Sequence, residues 1–146
     1  MTTIAVTGAR GFLGWHLRAH CHASPDLRII EVDRPIWDDA GRFRDAISRA
    51  DVVVHLAGMN RGREQEVEQT NLELTQRLIA ACEQADVRPH VLLANSTHRD
   101  RSTAYGRSKR QSAELLAAWA AKTGAAFTDF VIPNIYGEGG RPFYNS

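Results

Sequence analysis

The chain has 146 residues, 43% of them apolar and 24% charged, with 18 Lys plus Arg against 17 Asp plus Glu for a formal charge of +1. That length and balance fit one globular domain with a real core and argue against disorder. The basic residues are scattered among acids, so no block offers nucleic acid a counterion-releasing face, and the longest apolar run, residues 52–57, falls far short of the ~20 residues of a membrane span.

The amino terminus enters directly into Thr2-Thr3-Ile4-Ala5-Val6, without a charged leader. The two cysteines, Cys21 and Cys82, have neither disulfide-framework nor metal spacing, so partly buried thiols in a reducing cytoplasm are expected. The first predicted strand, residues 3–7, runs into Thr7-Gly8-Ala9-Arg10-Gly11-Phe12-Leu13-Gly14 and then a helix over 11–23. Glycines at a strand-to-helix turn let main-chain N–H groups approach a pyrophosphate, and the helix aims its positive end at the same anion. Gly8, Arg10, Gly11, Phe12, Leu13 and Gly14 are therefore candidate cofactor-binding residues. In that helix His16, His20 and His22 crowd around Cys21, but no further ligand is spaced to complete a metal site, and a solvent-facing surface is expected.

A second strand over 28–32 ends in Glu31-Val32-Asp33-Arg34. A carboxylate there can accept from adenosine ribose hydroxyls, whereas an arginine suits a 2′-phosphate, so Asp33 and Arg34 leave NAD or NADP open. Only about 17 residues separate Asp33 from Asp51, too few for a strand, a helix and their connections. The third strand of a full alternation is thus missing or reduced to Pro35–Trp37, with a helix over 39–49. Next come a strand over 52–55 and a helix over 64–85, where Leu72, Thr75, Leu78, Ile79 and Cys82 form a stripe expected to face the sheet.

The fourth strand, residues 90–95, delivers Ser96 and Thr97 to a strand carboxyl end, where ligands sit in open α/β sheets. Ser96, with Thr97 as alternate, is the candidate for bonding a substrate oxygen; a capping hydroxyl is the competing role. The helix over 103–123 opens with Tyr105-Gly106-Arg107-Ser108-Lys109, whose spacing puts Tyr105 and Lys109 on one face. Acid–base work by a phenol at neutral pH requires its pKa to fall by roughly 3 units, of which a neighbouring ammonium supplies ~1–3. A last strand over 127–132 completes an α/β alternation whose runs are too apolar to alternate cleanly, the pattern of a parallel sheet buried on both faces.

Taken together, these residues resemble the amino-terminal part of an extended short-chain dehydrogenase/reductase of the NAD-dependent epimerase/dehydratase family. The resemblance is carried by the glycine loop at 7–14, Asp51-Val52-Val53-Val54-His55-Leu56-Ala57-Gly58, Asn71, Ser96, Tyr105 with Lys109, and Pro133-Asn134-Ile135-Tyr136-Gly137. Within the family it is most similar to reductases of capsular polysaccharide biosynthesis, by His55 to Arg61, the short gap from Ser96 to Tyr105, and Arg141-Pro142-Phe143-Tyr144-Asn145-Ser146 after Pro133-Asn134. It departs in having Val131-Ile132 where the family carries an Arg before Pro-Asn.

The resemblance implies a Rossmann-type doubly wound sheet over residues 1–146, forming one NAD(P)-binding domain that is incomplete relative to the full family fold and lacks its carboxy-terminal substrate domain. It implies NAD or NADP as cofactor, a nucleotide-sugar substrate, and hydride transfer at a sugar ring carbon, with 4-keto reduction the nearest match. Tyr105 becomes the general acid/base; Lys109 lowers its pKa and bonds the nicotinamide ribose; Ser96 orients the reacting oxygen. The backbone of Leu56, Ala57 and Gly58, together with Pro133, lines the cofactor, Ser96, Thr97 and Asn134 face the substrate, and the chain can pair as a homodimer. The alternative is a dinucleotide-binding module without catalysis of its own.

Overall fold

The alternation of β-branched runs with helical periods produces β1 (Thr2–Thr7), α1 (Phe12–His22), β2 (Leu27–Val32), α2 (Arg34–Trp37), α3 (Ala40–Ser48), β3 (Val52–His55), α4 (Glu64–Gln84), β4 (His90–Ser96), α5 (Ala104–Thr123) and β5 (Phe127–Ile132), with a 3-10 turn at Thr97–Asp100. The structure is a computed structural model and describes residues 1–140, so the sequence feature at 141–146 lies outside the described residues. All five strands are parallel, in the order β2-β1-β3-β4-β5. Parallel strands need helical crossovers, and these place helices on the sheet faces.

Register fixes where the site can be. Thr7 pairs with Val32 and His55, and Ser96 pairs with Ile132, so the carboxyl ends of the strands share one edge of the sheet. The expected gap after β2 is real, and it is filled by helix. Asp33 accepts from the Ile36 amide at 3.3 Å, Pro35 sits in the first turn, and the short α2 forms where a third strand would start. Proline is preorganised for a helix's first turn, whereas its missing N–H would break a strand ladder. Trp37 then stacks at a tilt on Phe43, ring centroids 4.5 Å apart, and Phe43 and Ile47 bury α3 in the core.

The core joins Ala5, Val53, Val91 and Leu93 of the sheet to Ile47, Leu78, Cys82, Leu116 and Trp119 of the helices. Each fully buried aliphatic side chain contributes ~1.5–3 kcal/mol. The stripe of α4 is rotated from the expected one. Val67, Asn71, Thr75, Leu78, Ala81 and Cys82 are the buried positions, while Leu72 and Ile79 are half-buried, because α4 also packs along α5 and must bury polar Asn71 there. Two further expectations need correcting. Both thiols are fully buried, and β5 is an edge strand with Phe130 and Val131 exposed instead of covered on both faces. No helix among the described residues is long and apolar enough to cross a membrane.

Candidate active site

The phosphate-loop candidate is built from main chain packed to contact. Gly8 has φ +69°, and a Cβ there would lie 2.8 Å from the Ala57 amide nitrogen. A Cβ on Gly14 would meet the Gly8 and Ala9 carbonyl oxygens at 2.4 and 2.6 Å, so the first turn of α1 presses against the loop with no room for a side chain. The Gly11 amide donates to the Gly8 carbonyl at 2.9 Å, and no side chain caps the start of α1. A helix that begins this way presents free N–H groups and its positive dipole end toward the sheet edge. Leu56 and Ala57 run directly beside this loop, within 3.0 Å of the same Gly8 Cβ position, and Gly58 follows them against Asn71 and Lys109.

A buried relay supports that junction. Thr7 Oγ1 accepts from the Ala57 amide at 3.2 Å and shares a hydrogen bond of 2.7 Å with His55 Nδ1. Burial, and secondarily the nearby Lys109 charge, push the His55 pKa down to about 3, so the imidazole is neutral. This relay was not foreseen, although a histidine ending an all-valine strand opposite a threonine of the neighbouring strand is a readable signal.

At the end of β2, Asp33 uses one carboxylate oxygen to cap α2 and the other to pair with Arg10 at 3.1 Å. Arg10 therefore reaches from the loop to the candidate ribose position, while Arg34 is exposed in the first turn of α2. Arg18 reinforces the same corner by donating to the Ala9 carbonyl and to Glu31, both at 2.8 Å.

The other half is made of side chains. Ser96, the last residue of β4, accepts from the His98 amide at 3.1 Å through Oγ, leaving its own hydroxyl hydrogen to donate. The capping role thus leaves the hydroxyl able to bond a neighbour as well, and that neighbour is the Tyr105 phenol. Thr97 is exposed in the 3-10 turn. Thr103 caps α5 by accepting from the Gly106 amide at 3.1 Å, and Tyr105 stands in the first turn. Lys109, one turn on, is buried; its Nζ donates to the Ala94 carbonyl at 2.6 Å and lies 5.9 Å from the Tyr105 ring centroid.

The electrostatics differ from the expected lowering of the phenol by Lys109. Burial raises the Tyr105 pKa above its ordinary 10, with the Ser96 hydroxyl pulling the other way, and the same burial lowers Lys109 to about 8 despite the favourable charge of Asp129. The ammonium sits over the ring and against a carbonyl, so its influence on the phenol oxygen is weak here. Between the two halves Asn71 acts as a brace. It accepts from the Met59 amide at 2.7 Å and donates to the Met59 carbonyl at 2.8 Å and to Ser108 Oγ at 3.0 Å. Ser108 in turn donates to the Tyr105 carbonyl at 2.9 Å.

A cleft of about 150 Å³ opens beside Tyr105, lined by Asn60, Gly62, Glu64, Val67, Thr103 and Ala104. Pro133 and Asn134 follow β5 and are exposed at the same sheet edge. His16 departs from the expected solvent-facing surface. It is half-buried, meets Phe12 edge-on at 4.8 Å, and its Nε2–H donates to the Glu138 carbonyl at 2.9 Å, tying the segment after β5 to α1.

Residues 4–146 match the NAD dependent epimerase/dehydratase family. The chain belongs to that family. It is 32% identical over 144 residues to the UDP-2-acetamido-2,6-beta-L-arabino-hexul-4-ose reductase of Pseudomonas aeruginosa, covering 98% of this chain and 38% of that protein. The crystal structure of the capsular polysaccharide assembling protein CapF from Staphylococcus aureus superposes with a TM-score of 0.82 at 32% identity, again over 98% of this chain and 38% of the other. The structure of RMD from Pseudomonas aeruginosa complexed with NADPH has a TM-score of 0.87 at 21% identity, covering 99% of this chain and 58% of that one, and shares the fold. The chain thus spans 38% of the length of the first two relatives.

Proposed function

We propose that residues 1–146 form one NAD(P)-binding domain of a nucleotide-sugar oxidoreductase, with the dinucleotide lying across the carboxyl ends of β1, β3 and β4. The observation that carries this reading is the convergence on one sheet edge of a side-chain-free glycine cradle with Ser96, Tyr105 and Lys109. The cradle fits a pyrophosphate, because Gly8 and Gly14 admit no Cβ and the start of α1 is uncapped. Gly8, Arg10, Gly11, Phe12, Leu13 and Gly14 would hold the phosphates, Asp33, Arg10 and Arg34 the adenosine ribose, and Leu56, Ala57, Gly58 and Pro133 the remaining length. Bound there, the dinucleotide supplies or accepts a hydride.

The chain's own groups handle the proton. Tyr105 gives a proton to, or takes one from, the substrate oxygen; Ser96 donates its hydroxyl hydrogen to that oxygen; Lys109 would bond the nicotinamide ribose. The raised phenol of the ligand-free site favours the protonated form, which suits donation during reduction of a keto group. The similarity to the arabino-hexul-4-ose reductase supports a 4-keto sugar linked to a nucleotide, held further by Thr97 and Asn134. Because the chain spans 38% of that relative, a dinucleotide-binding unit that reacts only with the remainder of a longer protein is the second reading.

Fluorescence titration with NADH and NADPH tests the proposal. Saturable binding is expected, and none at millimolar dinucleotide ends it. Tyr105→Phe should bind the dinucleotide as the parent does while hydride transfer falls about 100- to 10,000-fold. Unchanged turnover removes Tyr105 from its role.

A further inference from the structure

Asn71, through Ser108, is one hydrogen-bonded tie between α4 and the start of α5. One turn earlier on α4, Glu68 receives Arg107 in a two-pronged pair, Nε to Oε1 at 3.3 Å and Nη2 to Oε2 at 3.0 Å. The remaining Nη1 of Arg107 donates to the Ser102 carbonyl at 2.6 Å. Arg107 stands between Tyr105 and Lys109, and Ser102 lies in the segment that enters α5. One guanidinium therefore ties α4, the entry to α5 and its first turn together. The pairing holds the Glu68 carboxyl below its usual range and raises Arg107 further, so both partners are ionised across the ordinary pH range.

A half-exposed ion pair adds little to global stability, but a planar fork fixes orientation far better than a point charge does. The Ser96 hydroxyl bonds the phenol, and that contact depends on where the first turn of α5 places the ring. Lys109 lies over the ring face, and the His98 ring stands edge-on with its centroid 6.4 Å away. We propose that Glu68 and Arg107 are positioning residues whose forked contact sets the first turn of α5 and so holds the Tyr105 hydroxyl in register with Ser96 and Lys109. The inference deepens the proposed function, since it concerns the group assigned there to proton transfer.

Titration of the Tyr105 phenol in the full chain, read as tyrosinate absorbance minus that of Tyr105→Phe, tests the clamp without needing turnover. In Arg107→Lys, Arg107→Ala and Glu68→Gln, the midpoint should fall by about half a pH unit or more, as water reaches a ring whose burial had raised it. Loss of the Arg107 charge alone would raise the midpoint, so a fall in Arg107→Ala reports movement. Arg107→Lys keeps the charge while removing the fork, and a fall in Glu68→Gln counts only beside a fall in both, since loss of a carboxylate lowers the midpoint by itself. The melting temperature and dinucleotide affinity should stay close to the parent's. A midpoint that is unchanged or higher overturns the inference, as does a fall seen only together with a collapse in melting temperature in every variant. Failure of the parent to bind dinucleotide would instead refute the proposed function and leave the titration result standing.

Discussion

The two halves of the candidate site are made of different material. Around β1 and α1 the recognition surface is main chain, and its side chains are deleted: Gly8 and Gly14 have no space for a Cβ, and the polar groups presented are amides. Around β4 and α5 the surface is side chain. Ser96, Tyr105 and Lys109 are presented by a strand end and a helix start, and Asn71 and Arg107 hold that helix in place. The side-chain half has one tight main-chain contact of its own, at Gly106, where a Cβ would meet the His98 and Arg101 carbonyl oxygens at 2.4 and 2.5 Å. A phosphate is recognised by geometry of N–H groups, whereas a proton must be moved by a group with the right pKa.

The buried relay between the halves gives the largest expected break. His55 is neutral when folded, with a pKa of about 3 against an ordinary 6.5, so the unfolded chain takes up the proton first as pH falls. Its contribution is intact above pH 6.5 and is lost progressively toward pH 3, up to about 5 kcal/mol at the acid end. Urea unfolding as a function of pH should show this limb, and His55→Leu should flatten it; an equally steep limb in the variant places the acid sensitivity elsewhere.

A smaller effect is expected of Gly14→Val, which puts volume where the Gly8 carbonyl oxygen is 2.4 Å from the first added carbon. Overpacking there should cost about 3 kcal/mol in denaturant unfolding and abolish dinucleotide binding. The same substitution made at Gly41, where a Cβ's nearest contact is the Asp39 carboxylate at 3.4 Å and the backbone is helical, keeps binding intact and serves as the control.

Lys109 sharpens the comparison from the side-chain half. Its folded pKa of about 8 lies below the ordinary 10.5, so burying the charged form opposes folding at neutral pH. Stability should therefore rise between about pH 8 and 10.5, by about 3 kcal/mol in all, until the raised Tyr105 phenol begins to oppose it above pH 10. Lys109→Met should remove that rise in a pH series of melting temperatures. A rise that persists assigns it to another group.

The sequence made the sheet edge legible because a parallel sheet sends every strand's carboxyl end to one side. Gly8, Asp33, Leu56, Ser96 and Pro133 each lie at or one residue beyond a strand end, so strand boundaries alone gather them. The absent third strand was legible too, from the short distance between Asp33 and Asp51. What stayed hidden depends on contacts across many residues. The Glu68–Arg107 fork spans 39 positions, and the Thr7–His55 bond depends on register between strands 48 positions apart. The rotation of the α4 stripe was hidden for a related reason: periodicity shows that one face is buried, but not that α5 would claim part of it. The edge position of β5 is a matter of strand order, which local apolarity does not encode.

The central claim is that the glycine cradle and the phenol serve one ligand. A crystal structure of the chain with bound NADH or NADPH tests it most directly. The account predicts the pyrophosphate against Gly8–Gly14 and the nicotinamide within about 5 Å of the Tyr105 hydroxyl, close enough for a shared substrate oxygen. A nicotinamide held about 10 Å or more from that hydroxyl, with the pyrophosphate in place, would contradict it.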